Sequence, residues 1–157
     1  MAPERQKSLG IPVVEPSTEP SEEIASEPPF GAAVIVYRRV AETIEYLLLH
    51  RSAHPPDFDG DWAWTPPAGG RLPDEDVAVC AARELFEETR LSVPLRATDL
   101  GNEVCPVFVA EVDPTTEVVI DAEHDSFRWV TLDEVLRLSR PEGVAIPFEA
   151  LAKELDA

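Results

Sequence analysis

The chain has 157 residues, 44% of them apolar, and carries 31 Asp and Glu against 13 Lys and Arg, a formal charge of -18. That length supports one domain with a real hydrophobic core and leaves too little chain for two. The charge excludes simple electrostatic adhesion to nucleic acid or an anionic membrane surface, so an anionic substrate needs cations to mediate its approach.

Arg supplies eleven of the thirteen basic residues, and its planar guanidinium grips phosphate or carboxylate through paired hydrogen bonds. Cys80 and Cys105 stand far apart with no Cys-x-x-Cys spacing. This argues against a zinc site or disulfide framework and for two buried free thiols. No apolar run approaches the ~20 residues that cross a bilayer, and the N-terminus lacks a charged-then-apolar leader. A soluble, cytoplasmic protein is the expectation.

Residues 1–29 hold six prolines and six glutamates without an apolar period. Such a stretch buries too little surface to offset its ordering entropy, so it reads as an extended tail, laid against its own domain or a neighbouring chain. A single domain over residues 30–157 follows. "AAVIVY" and "YLLLH", separated by the polar "RRVAETIE", read as two core strands in a hairpin. The turn-rich "RSAHPPDFDGD" then leads to "WAWT", a short strand with Trp62 and Trp64 on one face, where they pack in the core or stack on a nucleobase. Asp57, Asp59 and Asp61 have the alternation of a calcium loop. Trp62 stands where such a loop needs glycine, however, and Ala68 where it needs glutamate.

Pro73 and Asp74 signal a helix start, followed by an apolar stripe of Val77, Ala81 and Leu85 with Ala78 and Ala82. "VCPVFVAEV", "EVVI" and "FRWV" read as strands. Thr131 and Glu134 fit a capping box for a helix over residues 132–139. Pro147 fits the first position of a short terminal helix with Phe148, Leu151 and Leu155. Interspersed strands and helices imply an α/β or α+β layered domain with a mixed sheet.

Chemistry concentrates in "AGGRLPDEDVAVCAARELFEETRL", residues 68–91. Glu84, Glu87 and Glu88, three and four apart on a helix, project the same way. Crowded like charges persist when solvated or when a divalent cation neutralises them, and Mg²⁺ favours such oxygens. Arg83, one turn before Glu87, can orient it. Ala68, Gly69 and Gly70 precede the helix, where the backbone can turn sharply and expose carbonyls. By charge alone, a solvated helix face is the simpler account.

The spacing decides otherwise. Gly69, five residues, Glu75, seven residues, then Arg83-Glu84-Leu85-x-Glu87-Glu88 resembles the Nudix box, G-x5-E-x7-R-E-U-x-E-E-x-G-U with U aliphatic. At average residue usage, the match up to Glu88 is expected on the order of 10⁻⁸ per start position. Leu91 also fits, whereas Arg90 stands where the family has glycine; a left-handed helix exit costs a non-glycine residue roughly 1 to 2 kcal/mol.

The resemblance implies a Nudix α/β/α sandwich around a mixed sheet and a hydrolase cleaving a pyrophosphate bond in a nucleoside diphosphate-linked substrate. It further implies that Glu84, Glu87, Glu88 and the Ala68 carbonyl hold Mg²⁺, with Mn²⁺ as a substitute, and that Glu75 and Arg83 brace the box. The metal would polarise the phosphates and lower the pKa of attacking water. Family members draw the general base from the box or from a later loop, which here offers Glu123, with His124 beside it as a bystander. Arg51 sits where many members contact substrate phosphate; Arg38 is a further substrate-binding candidate and Arg39 a weaker one. "WTPP" and "EHDSFRWVTLDE" are similar to segments of asymmetric diadenosine tetraphosphate hydrolases, although Ala68, Gly69 and Gly70 replace their Lys-Gly-His. Dinucleoside polyphosphates and nucleoside triphosphates are the expected substrates, without nucleic-acid or membrane partners, and family members often form homodimers. The alternative is a Nudix-fold nucleotide-binding or regulatory module without turnover.

Overall fold

The computed structural model describes residues 23–156. Its two longest strands, β1 (Gly31–Val40) and β2 (Thr43–Arg51), form the expected hairpin, with Tyr37 opposite Tyr46 and Val40 opposite Thr43. Short strands β3 (Trp64–Thr65) and β4 (Ala68–Gly70) pair antiparallel with β2 and β1 respectively. The helix α1 (Val77–Thr89) follows, then β5 (Arg96–Ala97), β6 (Val107–Glu111), β7 (His124–Val130), α2 (Leu132–Leu138) and α3 (Glu142–Asp156). β6 runs parallel to β1 and all other pairings are antiparallel, so the sheet is mixed.

Strand alternation sorts the core into two layers. Ala32, Val34 and Val36 of β1, with Leu47 and Leu49 of β2, meet Cys80, Ala81 and Leu85 of α1. The intervening Ala33, Ile35 and Tyr37, with Tyr46 and Leu48, meet Val135 and Leu138 of α2 and Ala145, Phe148 and Leu151 of α3. This is the anticipated α/β/α sandwich. No helix among the described residues is long and apolar enough to cross a membrane.

Several local expectations need correction. α1 starts later than Pro73 and Asp74 suggest: Asp76 is the cap, its carboxylate accepting from the Ala78 and Val79 N–H groups. Asp74 adopts a left-handed turn conformation. Ala78 and Ala82 are exposed, because Cys80 takes the inward position of the stripe. Residues 117–120 form no strand; Val119 donates to the Thr89 carbonyl, and Val118 and Ile120 pack on the α1 layer. Trp62 has φ 64° and lies outside β3, so the two tryptophans do not share a strand face. α3 starts at Glu142 and contains Pro147 internally, because its buried stripe already begins at Ala145. The α2 capping box forms as anticipated.

Of the Pro/Glu-rich stretch, residues 1–22 lie outside the described residues, while residues 24–30 are fastened to the domain. Ile24 packs over Gly70. Ala25 is buried and donates to the Arg71 carbonyl at 2.7 Å, while the Arg71 N–H donates to the Phe30 carbonyl. The Arg71 guanidinium donates to the carbonyls of Pro29 (2.6 Å), Glu27 (3.0 Å) and Glu75 (2.8 Å).

Candidate active site

β4 and α1 assemble the carboxylate site. β4 is extended strand, not the sharp turn its glycines suggest, and neither Gly69 nor Gly70 has a left-handed φ. Gly69 is required for space: a Cβ there would collide with the Glu84 carboxylate. The Gly70 carbonyl accepts from Arg83 Nη2 at 2.9 Å.

Arg83 is the hub. Its guanidinium grips Glu75 through two hydrogen bonds of 2.8 and 2.9 Å, reaches Glu84 at 2.9 Å, and lies 3.5 Å from Glu87. Glu75 also accepts from the Leu72 N–H at 3.0 Å. The Arg83 hydrogen bonds hold the Glu75 carboxyl below its ordinary pKa, and Glu75 in turn raises that of Arg83.

The three α1 glutamates do not project alike. Glu87 points outward with its side chain 52% exposed. Glu84 and Glu88 turn inward; Glu88 is only 3% exposed and accepts from the Ala68 N–H at 3.1 Å. Burial pushes Glu84 up to about 7 against the pull of Arg83, and burial with the nearby Glu84 charge raises Glu88 well above the carboxylate range. Among the described residues, no three carboxylate, thiol or imidazole side chains converge as a formed cage; Glu84 is committed to Arg83 and Glu88 to β4. The donor set nevertheless suits a hard divalent cation, since it consists of carboxylate and backbone oxygens and its crowded charges need neutralising.

Two further candidates come together with these. Glu123 contributes to the raised pKa of both Glu84 and Glu88, and its carbonyl accepts from the Ser52 N–H at 2.9 Å. Arg51, at the end of β2, interacts with Glu88 and Glu123, and its Nε is buried with no hydrogen-bond partner among the described residues. Burial lowers the Arg51 pKa, opposed by those two carboxylates. His124 is buried, bonded to Asp121 at 2.8 Å, and its pKa is lowered chiefly by burial.

Other candidates lie apart. Arg38 pairs with Glu45 at 2.7 Å and stacks on Trp129, and Arg39 pairs with Glu111 at 3.3 Å. Trp64 is a core residue: it is buried, Nε1 donates to Asp59 at 2.8 Å, and its ring meets His50 edge-on. Arg90 takes the left-handed helix exit at φ 64° and lays its guanidinium over Phe86. Cys80 and Cys105 are free, with burial pushing their thiols up to about 12 and about 11.

Beside Ala68 and Arg51 opens a cavity of about 420 Å³, walled mainly by apolar residues that include Trp62, Leu100, Ile146 and Phe148, with Asn102 also in its lining. Sequence reasoning did not foresee this pocket, which joins the 100–105 loop to α3. The left-handed Trp62 had no periodic signal to announce it.

A carboxylate helix docked on a mixed sheet, clamped by its arginine and adjoining a cavity, defines a Nudix-type pyrophosphohydrolase centre. The NUDIX domain family model matches residues 28–152, and the chain belongs to the Nudix family. The asymmetrical bis(5'-nucleosyl)-tetraphosphatase of Rattus norvegicus is 33% identical in an alignment of 113 positions that covers 64% of this chain and 73% of that protein. A Caenorhabditis elegans Ap4A hydrolase, solved as a binary complex, superposes with a TM-score of 0.67 at 25% identity, covering 80% of this chain and 98% of that one. An octanoyltransferase of Myxococcus xanthus is 33% identical in an alignment of 145 positions that covers 83% of this chain but only 37% of that protein.

Proposed function

We propose that the protein hydrolyses the pyrophosphate bond of a nucleoside diphosphate-linked substrate in the cytoplasm, with dinucleoside polyphosphates and nucleoside triphosphates as its preferred class. The observation that carries this reading is the Arg83 clamp on Glu75 and Glu84, beside the buried Glu88 and a cavity lined in part by Arg51. The names of the rat and nematode relatives favour the dinucleoside class.

Glu84, Glu87, Glu88 and the Ala68 carbonyl would hold Mg²⁺ or Mn²⁺, which when bound neutralises phosphate charge and favours ionisation of water. Arg51 receives a substrate phosphate through its unpaired Nε. Glu123 takes the proton from the attacking water, whose oxygen bonds to phosphorus as the bridging P–O bond breaks; the bridging oxygen leaves with the departing phosphate. Glu75 positions Arg83, and Arg83 positions Glu84.

Incubation with Mg²⁺ or Mn²⁺ and a panel of nucleotide pyrophosphates in ¹⁸O-water identifies the bond cleaved. Turnover that falls at least about 100-fold in Glu88→Gln is expected. Binding without cleavage across the panel would establish the silent module instead.

A further inference from the structure

The cavity beside the carboxylates carries information about the part of the substrate that is not phosphate. Arg51 and Ala68, which interact with Glu88 in the site just described, line it together with Trp62, residues of the 100–105 loop and α3. Two of its residues are set up in ways that packing alone does not require.

Trp62 is a bulky residue in left-handed backbone, φ 64°, held there by its N–H donating to the Arg140 carbonyl at 2.6 Å. Extended backbone would have continued β3; the strained turn instead makes Trp62 part of the cavity wall. Unfavourable backbone of this kind concentrates where a ligand or reaction requires it.

Asn102 is oriented as well. Its Oδ1 accepts from the N–H groups of Val104 and Cys105 at 2.9 and 2.8 Å, and two N–H donors demand the oxygen, so the amide cannot be flipped. With the oxygen so engaged, the Nδ2 amino group is left as the donor of this side chain, and Asn102 lines the cavity. A donor and a flat indole on a mainly apolar wall suit a planar group with an acceptor edge. A sugar would leave hydroxyls unmatched there, and an alkyl chain would leave the amide unused.

We propose that the cavity seats an uncharged heteroaromatic base of the substrate, stacked on Trp62 and accepting a hydrogen bond from Asn102 Nδ2, so that these two residues determine specificity. The inference rests on the pyrophosphohydrolase reading, which brings the phosphates to Arg51.

The test compares wild type, Trp62→Ala and Asn102→Ser on the best nucleotide of the panel and on ribose 5-triphosphate, which has sugar and phosphates but no base. Calorimetric binding of the same compounds runs in parallel. Serine still accepts from the loop N–H groups but supplies no amide donor. KM and Kd for the nucleotide are expected to rise ~10- to 100-fold in Trp62→Ala and ~10-fold in Asn102→Ser. Neither variant is expected to change kcat, or kcat/KM on ribose 5-triphosphate, by more than about threefold. Unchanged nucleotide affinity in Asn102→Ser, or equal losses on the baseless compound, overturns the assignment. Should Trp62→Ala fail to fold, Asn102→Ser, at an exposed position, decides alone. A wild type that binds nucleotides with this dependence but cleaves none keeps the seat and refutes the hydrolase reading.

Discussion

Alanine at Gly69 adds one methyl group to the closest contact in the site. Its Cβ would fall inside the van der Waals envelope of Glu84 Cδ and both carboxylate oxygens, so the carboxylate has to retreat by about 1.5 Å or more to restore ordinary contact. The group that yields is the far end of a flexible side chain, and alanine suits the extended backbone of β4. The expected stability loss is therefore under about 2 kcal/mol. Function is less forgiving, because a displacement of ~1 Å among groups that position a reaction costs about 100-fold. Gly70→Ala is the control, since its methyl meets the Ile24 side chain and leaves Glu84 alone. Steady-state kinetics with a Mg²⁺ titration, paired with thermal unfolding, should show Gly69→Ala folded, with kcat/KM reduced about 100-fold and weakened Mg²⁺ dependence, and Gly70→Ala near wild type. If Gly69→Ala retains activity within about threefold with the same Mg²⁺ dependence, the steric account of this glycine is wrong.

Two further outcomes follow from the charges and the fastening of residues 24–30. Because the Glu84 pKa is raised from 4.5 to about 7, its contribution to metal-free stability is present below about pH 4.5 and lost as pH rises through about 7. Glu84→Gln should thus match wild type near pH 5 and exceed it near pH 8 by on the order of 3 kcal/mol in chelator, while losing Mg²⁺-induced stabilisation. A pH-independent difference in denaturant melts would contradict this. Separately, deletion of residues 1–22 should leave kcat/KM unchanged, whereas deletion of 1–30 removes three carbonyl partners of Arg71 and should lower Tm by several degrees, with activity falling alongside; equal behaviour of the two truncations would show the fastening to be idle.

The parts legible in sequence were those governed by short periods or fixed spacing. The unbroken apolar runs in β1 and β2 announced two core strands, and Thr131 with Glu134 announced α2. The box spacing located Arg83 with its partners, though not their orientations: whether Glu87 or Glu88 faces inward depends on where β4 runs. Apart from the local shift of the α1 cap to Asp76, the misreadings turned on tertiary contact. Ala145 drew the start of α3 ahead of Pro147, Thr89 captured Val119, and Arg140 held Trp62 away from β3.

Arg71 grips residues 27 and 29 by their carbonyls, which every amino acid possesses. Side chains along that stretch are thus at liberty to drift without disturbing the grip, whereas one inserted or deleted residue between Ala25 and Gly31 shifts the carbonyls out of register. What matters in this segment is its count of residues, a quantity to which composition is blind.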